Sequence, residues 1–370
     1  MSIDGYVWAL EAPGHPLVRK PRTFTDPPAG LALLEVMGTG VCHTDLGFAD
    51  GDVAPKAPLP LVLGHEIVGR VLQVGGGAGD DLVGRRVLAP AVSPCGVCAA
   101  CRRGRPTSCP KGRMPGNDAD GGFATHVLVP AVDLVALDPP GAAGAASLQG
   151  PLGEAGLEPW EIAPIADAAT TAYQAIVRAK LAEGEVAIFI GAGGVGGFGV
   201  QLAKTVGAFV VAIDVSRARL AALEGSADEV VDSTGLDARG VREAVRSKIK
   251  ARGKGGVPVR VFETSGTTPG QAAAFELLDR GGSLSIVGFT RDKTPVRLSN
   301  VMALDAEIYG NWGCDPALYG EVVKRVLAGQ VKVRPFVERR PLDSVNEVLN
   351  ELRAHRLSRR AVLVPEILGG

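Results

Sequence analysis

The hexapeptide Gly191-Ala192-Gly193-Gly194-Val195-Gly196 directly follows an apolar run, Val186 to Ile190, and opens a helical pattern that continues to Val206. A G-x-G-x-x-G in that position demands strand, tight turn and helix in succession, because the glycines let the backbone close and the helix N-terminus then presents an anion site. A second apolar run, Phe209 to Ile213, ends on Asp214 at the spacing this fingerprint requires. Gly191, Gly193, Gly194, Val195 and Gly196 are therefore candidates to cradle a pyrophosphate. Asp214 is placed to accept ribose hydroxyls, and its charge favours NAD over NADP. Arg219, one helical turn further, can flank the adenosine, and Arg217 keeps NADP open as the alternative. The bland reading is a glycine-rich packing loop beside a solvated acid and base.

The rest of the chain agrees with a doubly wound α/β region preceded by a β-rich one. Up to about Val135, short β-branched runs (Leu31 to Met37, Ile67 to Val74, Arg86 to Leu88, Ala124 to Val129) stand between turn signals, which predicts an irregular, barrel-like β domain. From Asp167 onward the rhythm changes. Helical patterns at Thr170 to Leu181, Val195 to Val206 and Arg217 to Leu223 alternate with strands at Val186 to Ile190, Phe209 to Ile213, Val259 to Glu263 and Leu284 to Val287, as in a parallel sheet. The tail predicts helices at Pro316 to Ala328 and Leu342 to Ala354 and a strand at Ala361 to Val364, which can pack back on the first domain. Between them, Asp138 to Trp160 is rich in Gly, Ala and Pro and reads as a loop or connection.

A chain of 370 residues, 46% hydrophobic and 21% charged, can bury a large core and lacks the composition of disorder. Its formal net charge of -1 gives no global basic field for nucleic acid. The N-terminus carries Asp4 and Glu11 where a signal peptide needs an apolar run, and no stretch approaches the roughly 20 apolar residues of a membrane span, so a cytoplasmic protein is expected.

Six cysteines are present, and four of them, Cys95, Cys98, Cys101 and Cys109, fall in one short window. Four thiolates at C-x2-C-x2-C-x7-C make a closed tetrahedral zinc site with no position left for substrate, hence a structural one. An iron–sulfur run opens similarly, but its last gap is shorter. Cys42-His43-Thr44-Asp45 and Gly64-His65-Glu66 supply further ligand-type residues, each of which alone would more often be an ordinary core residue.

Taken in order, GVCHTD, GHEIVG, CGVCAACRRGRPTSC, DAATTAYQA and GAGGVG make the chain resemble the zinc-dependent alcohol dehydrogenases of the medium-chain dehydrogenase/reductase superfamily over nearly its whole length. The resemblance implies a GroES-like catalytic domain at 1–168 and 312–370, with a zinc lobe at about 93–113, and a Rossmann NAD-binding domain at 169–311. It implies a catalytic zinc on Cys42, His65 and Asp167, with Glu66 as a nearby or alternating ligand and a fourth position open to an alcohol. Thr44 would bond the alcohol and start the proton path, and Asp45 would orient His65. Asp167 also reads as a helix N-cap. Gly47 stands where many relatives carry a proton-relaying histidine, so protons would leave through water or the cofactor ribose. His43 is either a pyrophosphate contact or an exposed loop residue.

Later stretches, FETSGTTPGQAAAFELLDRGG, RLSNVMALDAEIYGNWGCDP and PFVERRPLDSVNEV, resemble the 6-hydroxycyclohex-1-ene-1-carbonyl-CoA dehydrogenases of anaerobic benzoyl-CoA degradation. This implies NAD-dependent oxidation of a ring alcohol to the 6-oxo enone, whose electrophilic alkene makes water addition at the same site a chemical option. Arg102, Arg103, Arg105, Lys111 and Arg113 are candidates for CoA phosphates, although charge runs are more often solvated. Trp312 and Cys314 either line a cleft or pack in the core. The family resemblance also implies a homo-oligomer, commonly a tetramer, with no nucleic-acid or membrane partner. The rival readings are a general secondary, allylic or polyol alcohol dehydrogenase and, in another class, a non-catalytic zinc-lobe scaffold.

Overall fold

The computed structural model describes residues 2–76, 79–138 and 150–366. The chain divides into two compact units: Met1–Asp167 with Gly313–Gly329 and Val333–Gly370, and Ala168–Trp312 with Gln330–Lys332. In chain order the first unit begins with β1 (Ile3–Leu10), β2 (Val18–Phe24), β3 (Leu31–Gly40), β4 (Leu61–Val62), β5 (Glu66–Val74), β6 (Arg86–Ala89), β7 (His126–Pro130) and β8 (Val135–Ala136). The second unit holds β9 (Val186–Ile190), β10 (Phe209–Asp214), β11 (Glu229–Asp232), β12 (Val259–Glu263), β13 (Ser283–Ile286) and β14 (Glu307–Gly310). The tail returns to the first unit with β15 (Val337–Pro341) and β16 (Arg360–Val364).

The first unit carries a three-stranded sheet, β2-β1-β4, and a larger one in the order β15-β16-β3-β5-β6-β8, with β7 also paired to β3. Long β3 is the spine, because its ten residues bond β5 along one edge and β7 and β16 along the other. A first core of Val7, Leu10, Leu33, Phe48, Leu63, Phe123, Val348 and Leu363 lies between the tail helix Val345–Arg353 and these strands. Val36, Ile67, Val71, Val87 and Val127 form a second. Leu33, Val36, Ile67, Val71, Val87 and Val127, from the runs that predicted strands, are buried here, as expected for residues that fit a pleated, half-buried surface.

The second unit is a six-stranded parallel sheet in the order β11-β10-β9-β12-β13-β14, the doubly wound arrangement expected from the alternating pattern. Central β9, VAIFI, is buried at every residue, which is why it reads as a continuous apolar run rather than an alternating one.

Several element boundaries differ from expectation for local reasons. The tail helices each begin as a short 3-10 turn, Pro316–Leu318 and Leu342–Ser344, before the α-helices Tyr319–Leu327 and Val345–Arg353. The strand expected from Ala124 begins at His126, because Phe123 and Thr125 first bond Trp8 and Tyr6 of β1. Of the expected loop at Asp138 to Trp160, residues 139–149 lie outside the described residues. Its later part is tied down: Leu152 and Leu157 exchange backbone hydrogen bonds, and the 3-10 helix Pro159–Ala166 follows. Among the described residues, no helix is long and apolar enough to cross a membrane.

Candidate active site

Cys42 ends the segment after β3 and caps the helix His43–Asp50. Its N–H donates to Asp45 Oδ2 at 2.9 Å, and Asp45 Oδ1 accepts the Gly64 N–H at 3.0 Å. Asp45 is fully buried, and the same Oδ1 lies 3.3 Å from His65 Nδ1. One carboxylate therefore fixes the backbone of two potential ligand segments and faces the ring nitrogen that a ligand histidine leaves free.

His65 Nε2 points the other way, 3.6 Å from Asp167 Oδ2, and that carboxylate lies 3.8 Å from Cys42 Sγ. Ligand atoms of Cys42, His65, Glu66 and Asp167 all lie within 4.8 Å of one another. Tetrahedral arms of about 2.0–2.3 Å put donor atoms roughly 3.3–3.8 Å apart, so the His65–Asp167 and Cys42–Asp167 separations are those of a zinc site. The electrostatics agree. Burial alone would lower the His65 pKa, but Asp45, Asp167 and Cys42 together raise it well above the ordinary value, the mark of a pocket that holds a cation. Thr44 Oγ1 lies 3.8 Å from Cys42 Sγ. At Gly47 an added Cβ would meet nothing within 4 Å, so no side chain fills the place of a relay histidine.

Glu66 shows what sequence reasoning missed. Its carboxylate is buried and pairs with Arg360 of β16, Nη1 to Oε1 at 2.5 Å. Burial pushes Glu66 up to about 8 against the pull of Arg360, and the surrounding anions raise the Arg360 pKa further. Gly40 makes the slot: a Cβ there would sit 1.9 Å from Glu66 Oε2. In the sequence Arg360 is one of two adjacent arginines with no local sign of a partner; only the register Val362↔Gly40 brings it here.

The four-cysteine lobe is also assembled. Cys98 Sγ lies 3.5 Å from Cys101 Sγ and 3.7 Å from Cys109 Sγ, the Cys95 N–H points at Cys109 Sγ at 3.4 Å, and all four are free thiols. These spacings match the edges of a tetrahedron with sulfur arms near 2.3 Å. The Cys101 N–H contributes most to lowering the Cys98 thiol to about 6. The lobe is closed at its base by Ser93 and Arg113, whose backbones exchange two 2.8 Å hydrogen bonds. From there the chain runs to Gly116, which packs so closely under the His65 loop that a Cβ would lie 2.8 Å from Gly64 N. Arg102, Arg103, Arg105, Lys111 and Arg113 are all exposed. Cys314 is buried and donates to the Asp315 carbonyl, and Trp312 is 58% exposed.

In the second unit β9 runs into Gly191, whose φ of +93° suits glycine, and a Cβ there would strike Ser265 at 2.7 Å. Gly193 caps the helix Gly194–Thr205, which places Gly194, Val195 and Gly196 in its first turn. A Cβ on Gly196 would meet the Gly191 carbonyl oxygen at 1.7 Å. At Gly191 and Gly196 the loop therefore admits only glycine, and it ends at a helix N-terminus, the kind of place where a pyrophosphate can bind. Asp214 ends β10, buried, with Oδ2 accepting the Ala192 N–H at 2.7 Å and Oδ1 the Ser216 N–H at 2.8 Å. Arg219 Nη1 lies 3.8 Å from Asp214 Oδ2. Arg217 instead turns to Asp232.

The sequence matches the Alcohol dehydrogenase GroES-like domain over residues 28–139 and Zinc-binding dehydrogenase over residues 194–328. An alcohol dehydrogenase of Geobacillus stearothermophilus is 31% identical over 344 residues, 90% of this chain and 91% of the relative. A second one from that organism is 32% identical over 336 residues, 90% of this chain and 92% of the relative. The crystal structure of the alcohol dehydrogenase from Aeropyrum pernix superposes with a TM-score of 0.82 at 29% identity, over 97% of this chain and 100% of that one. With that much of its length shared and both domains matched, the chain belongs to the zinc-dependent medium-chain alcohol dehydrogenase family.

Proposed function

We propose that the protein oxidises a secondary alcohol to a ketone with NAD as hydride acceptor, at a zinc held by Cys42, His65 and Asp167, with a second zinc in the four-thiol lobe. The observation that carries this is the convergence of those three donor groups, with His65 Nε2 3.6 Å and Cys42 Sγ 3.8 Å from Asp167 Oδ2. Zinc there supplies a Lewis acid that acidifies the alcohol, and the nicotinamide supplies the acceptor for the C–H hydride. The protein's own groups do the rest. Thr44 stands beside Cys42 to take the hydroxyl proton, and the open place at Gly47 admits water to carry it away. Asp45 holds the His65 ring, Arg360 holds Glu66, and the glycine loop with Asp214 and Arg219 receives the dinucleotide.

For the substrate we infer the ring alcohol of 6-hydroxycyclohex-1-ene-1-carbonyl-CoA, giving the 6-oxo enone of anaerobic benzoyl-CoA degradation, with water addition to that enone as a side activity. The sequence stretches shared with that subgroup support this. So does the exposed cluster Arg102, Arg103, Arg105, Lys111 and Arg113, none of which has an ion-pair partner within 4.0 Å among the described residues. Five exposed cations on a lobe gathered around four thiols, of which Arg113 also acts electrostatically on Asp118, suit the phosphates of a CoA thioester. The names of the Geobacillus stearothermophilus relatives favour a second reading, a dehydrogenase of free alcohols. We also infer a homo-oligomer; supporting it, β14 is an edge strand that carries exposed Ile308 and lies close in sequence to exposed Leu298 and Met302, and such an edge can pair with a second copy.

The deciding experiment compares NADH formation from 6-hydroxycyclohex-1-ene-1-carbonyl-CoA with that from free cyclohexenol and simple secondary alcohols. A preference for the thioester supports the CoA assignment, and equal or faster turnover of free alcohols removes it.

A further inference from the structure

β10 and β11 lie side by side and parallel, with Asp214 opposite Asp232 at their C-terminal ends. Two carboxylates thus stand at the edge where the first strand delivers its ribose-binding acid. The second is not loosely placed. Thr234 N–H donates to Asp232 Oδ1 at 3.0 Å, Thr234 Oγ1 bonds the Val215 carbonyl at 3.2 Å, and Ser233 N–H bonds the Asp214 carbonyl at 3.1 Å. The segment 232–234 is therefore pinned to 214–215 by backbone as well as side chain. Asp232 Oδ2 accepts from Arg217 Nε at 2.7 Å.

That ion pair has a consequence for the cofactor. Arg217 and Arg219 are the two cations of the helix Arg217–Ala222, and Arg219 leans on Asp214, its Nη1 also 3.8 Å from the Cβ position of Gly193. Arg217 is 88% exposed and would otherwise be the free cation within reach of a phosphate on the adenosine ribose. An exposed pair of this kind contributes little by itself, so its meaning lies in where it points the charge.

We propose that Asp232 is a second determinant of cofactor choice, which holds Arg217 away from a ribose 2′-phosphate and adds its own negative charge beside Asp214. The inference rests on the reading that Asp214 faces the adenosine ribose of NAD. Asp214 alone discriminates by offering hydrogen-bond acceptors to two hydroxyls. Asp232 removes the cation that would offset the repulsion of a phosphate. Neutralising Asp232 frees Arg217 and removes one anion, and both changes favour NADPH while leaving the hydroxyl contacts of NADH intact.

The test is equilibrium binding of NADH and of NADPH, read by nucleotide fluorescence, to the wild-type protein and its variants at low ionic strength. Asp232→Asn and Asp232→Ser, which both keep an acceptor for the Thr234 N–H, are expected to tighten NADPH binding about five- to tenfold, the scale of one partly screened charge contact, with NADH within twofold of wild type. Asp232→Glu should keep the wild-type ratio. Adding Arg217→Ala to Asp232→Asn should remove most of the gain. If wild type prefers NADH and neither neutral variant changes the ratio, the proposal is overturned and the NAD reading stands. If wild type binds NADPH as tightly as NADH, both fall together.

Discussion

Arg360 reaches Glu66 across 294 residues of sequence, Nη1 to Oε1 at 2.5 Å, with both side chains buried beside the proposed metal ligands. The pair sits in a slot that exists because residue 40 is glycine. Removing the cation alone leaves a buried carboxyl, already pushed up to about 8, without its hydrogen-bonding partner, which typically costs about 1–3 kcal/mol. Arg360→Met should therefore lower the urea midpoint strongly, and adding Glu66→Gln should recover much of the loss. A single variant as stable as wild type would show that the pair is not the main support of Glu66.

The thiol lobe predicts a second, separable loss. All four donors come from the protein and the fold of the lobe closes on them, so the metal's binding energy there is folding energy. Cys109→Ser should reduce zinc, measured by elemental analysis, from two to one per subunit and lower the thermal midpoint, because the lobe exit runs to Gly116 beneath the His65 loop. Two zinc ions retained by this variant would contradict the assignment of the lobe.

A pH effect follows from Glu185 and Arg260 in the second unit, whose Oε1 and Nη2 are 2.8 Å apart. Burial pushes the Glu185 pKa up, but the Arg260 hydrogen bonds and the Ala182 N–H outweigh it, and the folded value falls below the ordinary 4.5. A depressed carboxylate pKa stabilises the folded state above the unfolded pKa and loses that contribution as pH falls through the folded value. Glu185→Gln should therefore be less stable than wild type at pH 7, with the gap closing below about pH 4. A gap that persists unchanged at pH 3 would mean that packing rather than charge explains it.

What could be read from the sequence were features with a local cause. The glycine loop had to follow β9 because only glycine fits at Gly191 and Gly196, and VAIFI is apolar throughout because both faces of a central parallel strand are covered. The four cysteines were legible because their spacing is itself the ligand geometry. The helix Ala238–Ala251 lies outside the expected elements, although Val241, Val245 and Ile249 repeat every four residues after the cap Asp237. Strand β2 escaped because VRKPRTF is charged and mostly exposed, an edge paired only with β1. Arg360 and the Asp232–Arg217 pair were invisible for a deeper reason, since each depends on strand register and no local pattern encodes which strands lie side by side.

The proposed centre depends most directly on Asp167, the donor drawn from farthest along the chain to meet Cys42 and His65. The measurement is zinc content together with NAD-linked secondary-alcohol oxidation in Asp167→Ala. The prediction is the loss of one zinc per subunit, retention of the other, and a fall in kcat/KM of at least about a thousandfold, on the order of 4 kcal/mol of transition-state stabilisation. A variant that keeps both zinc ions and turns over at a rate near that of wild type would contradict the proposed centre.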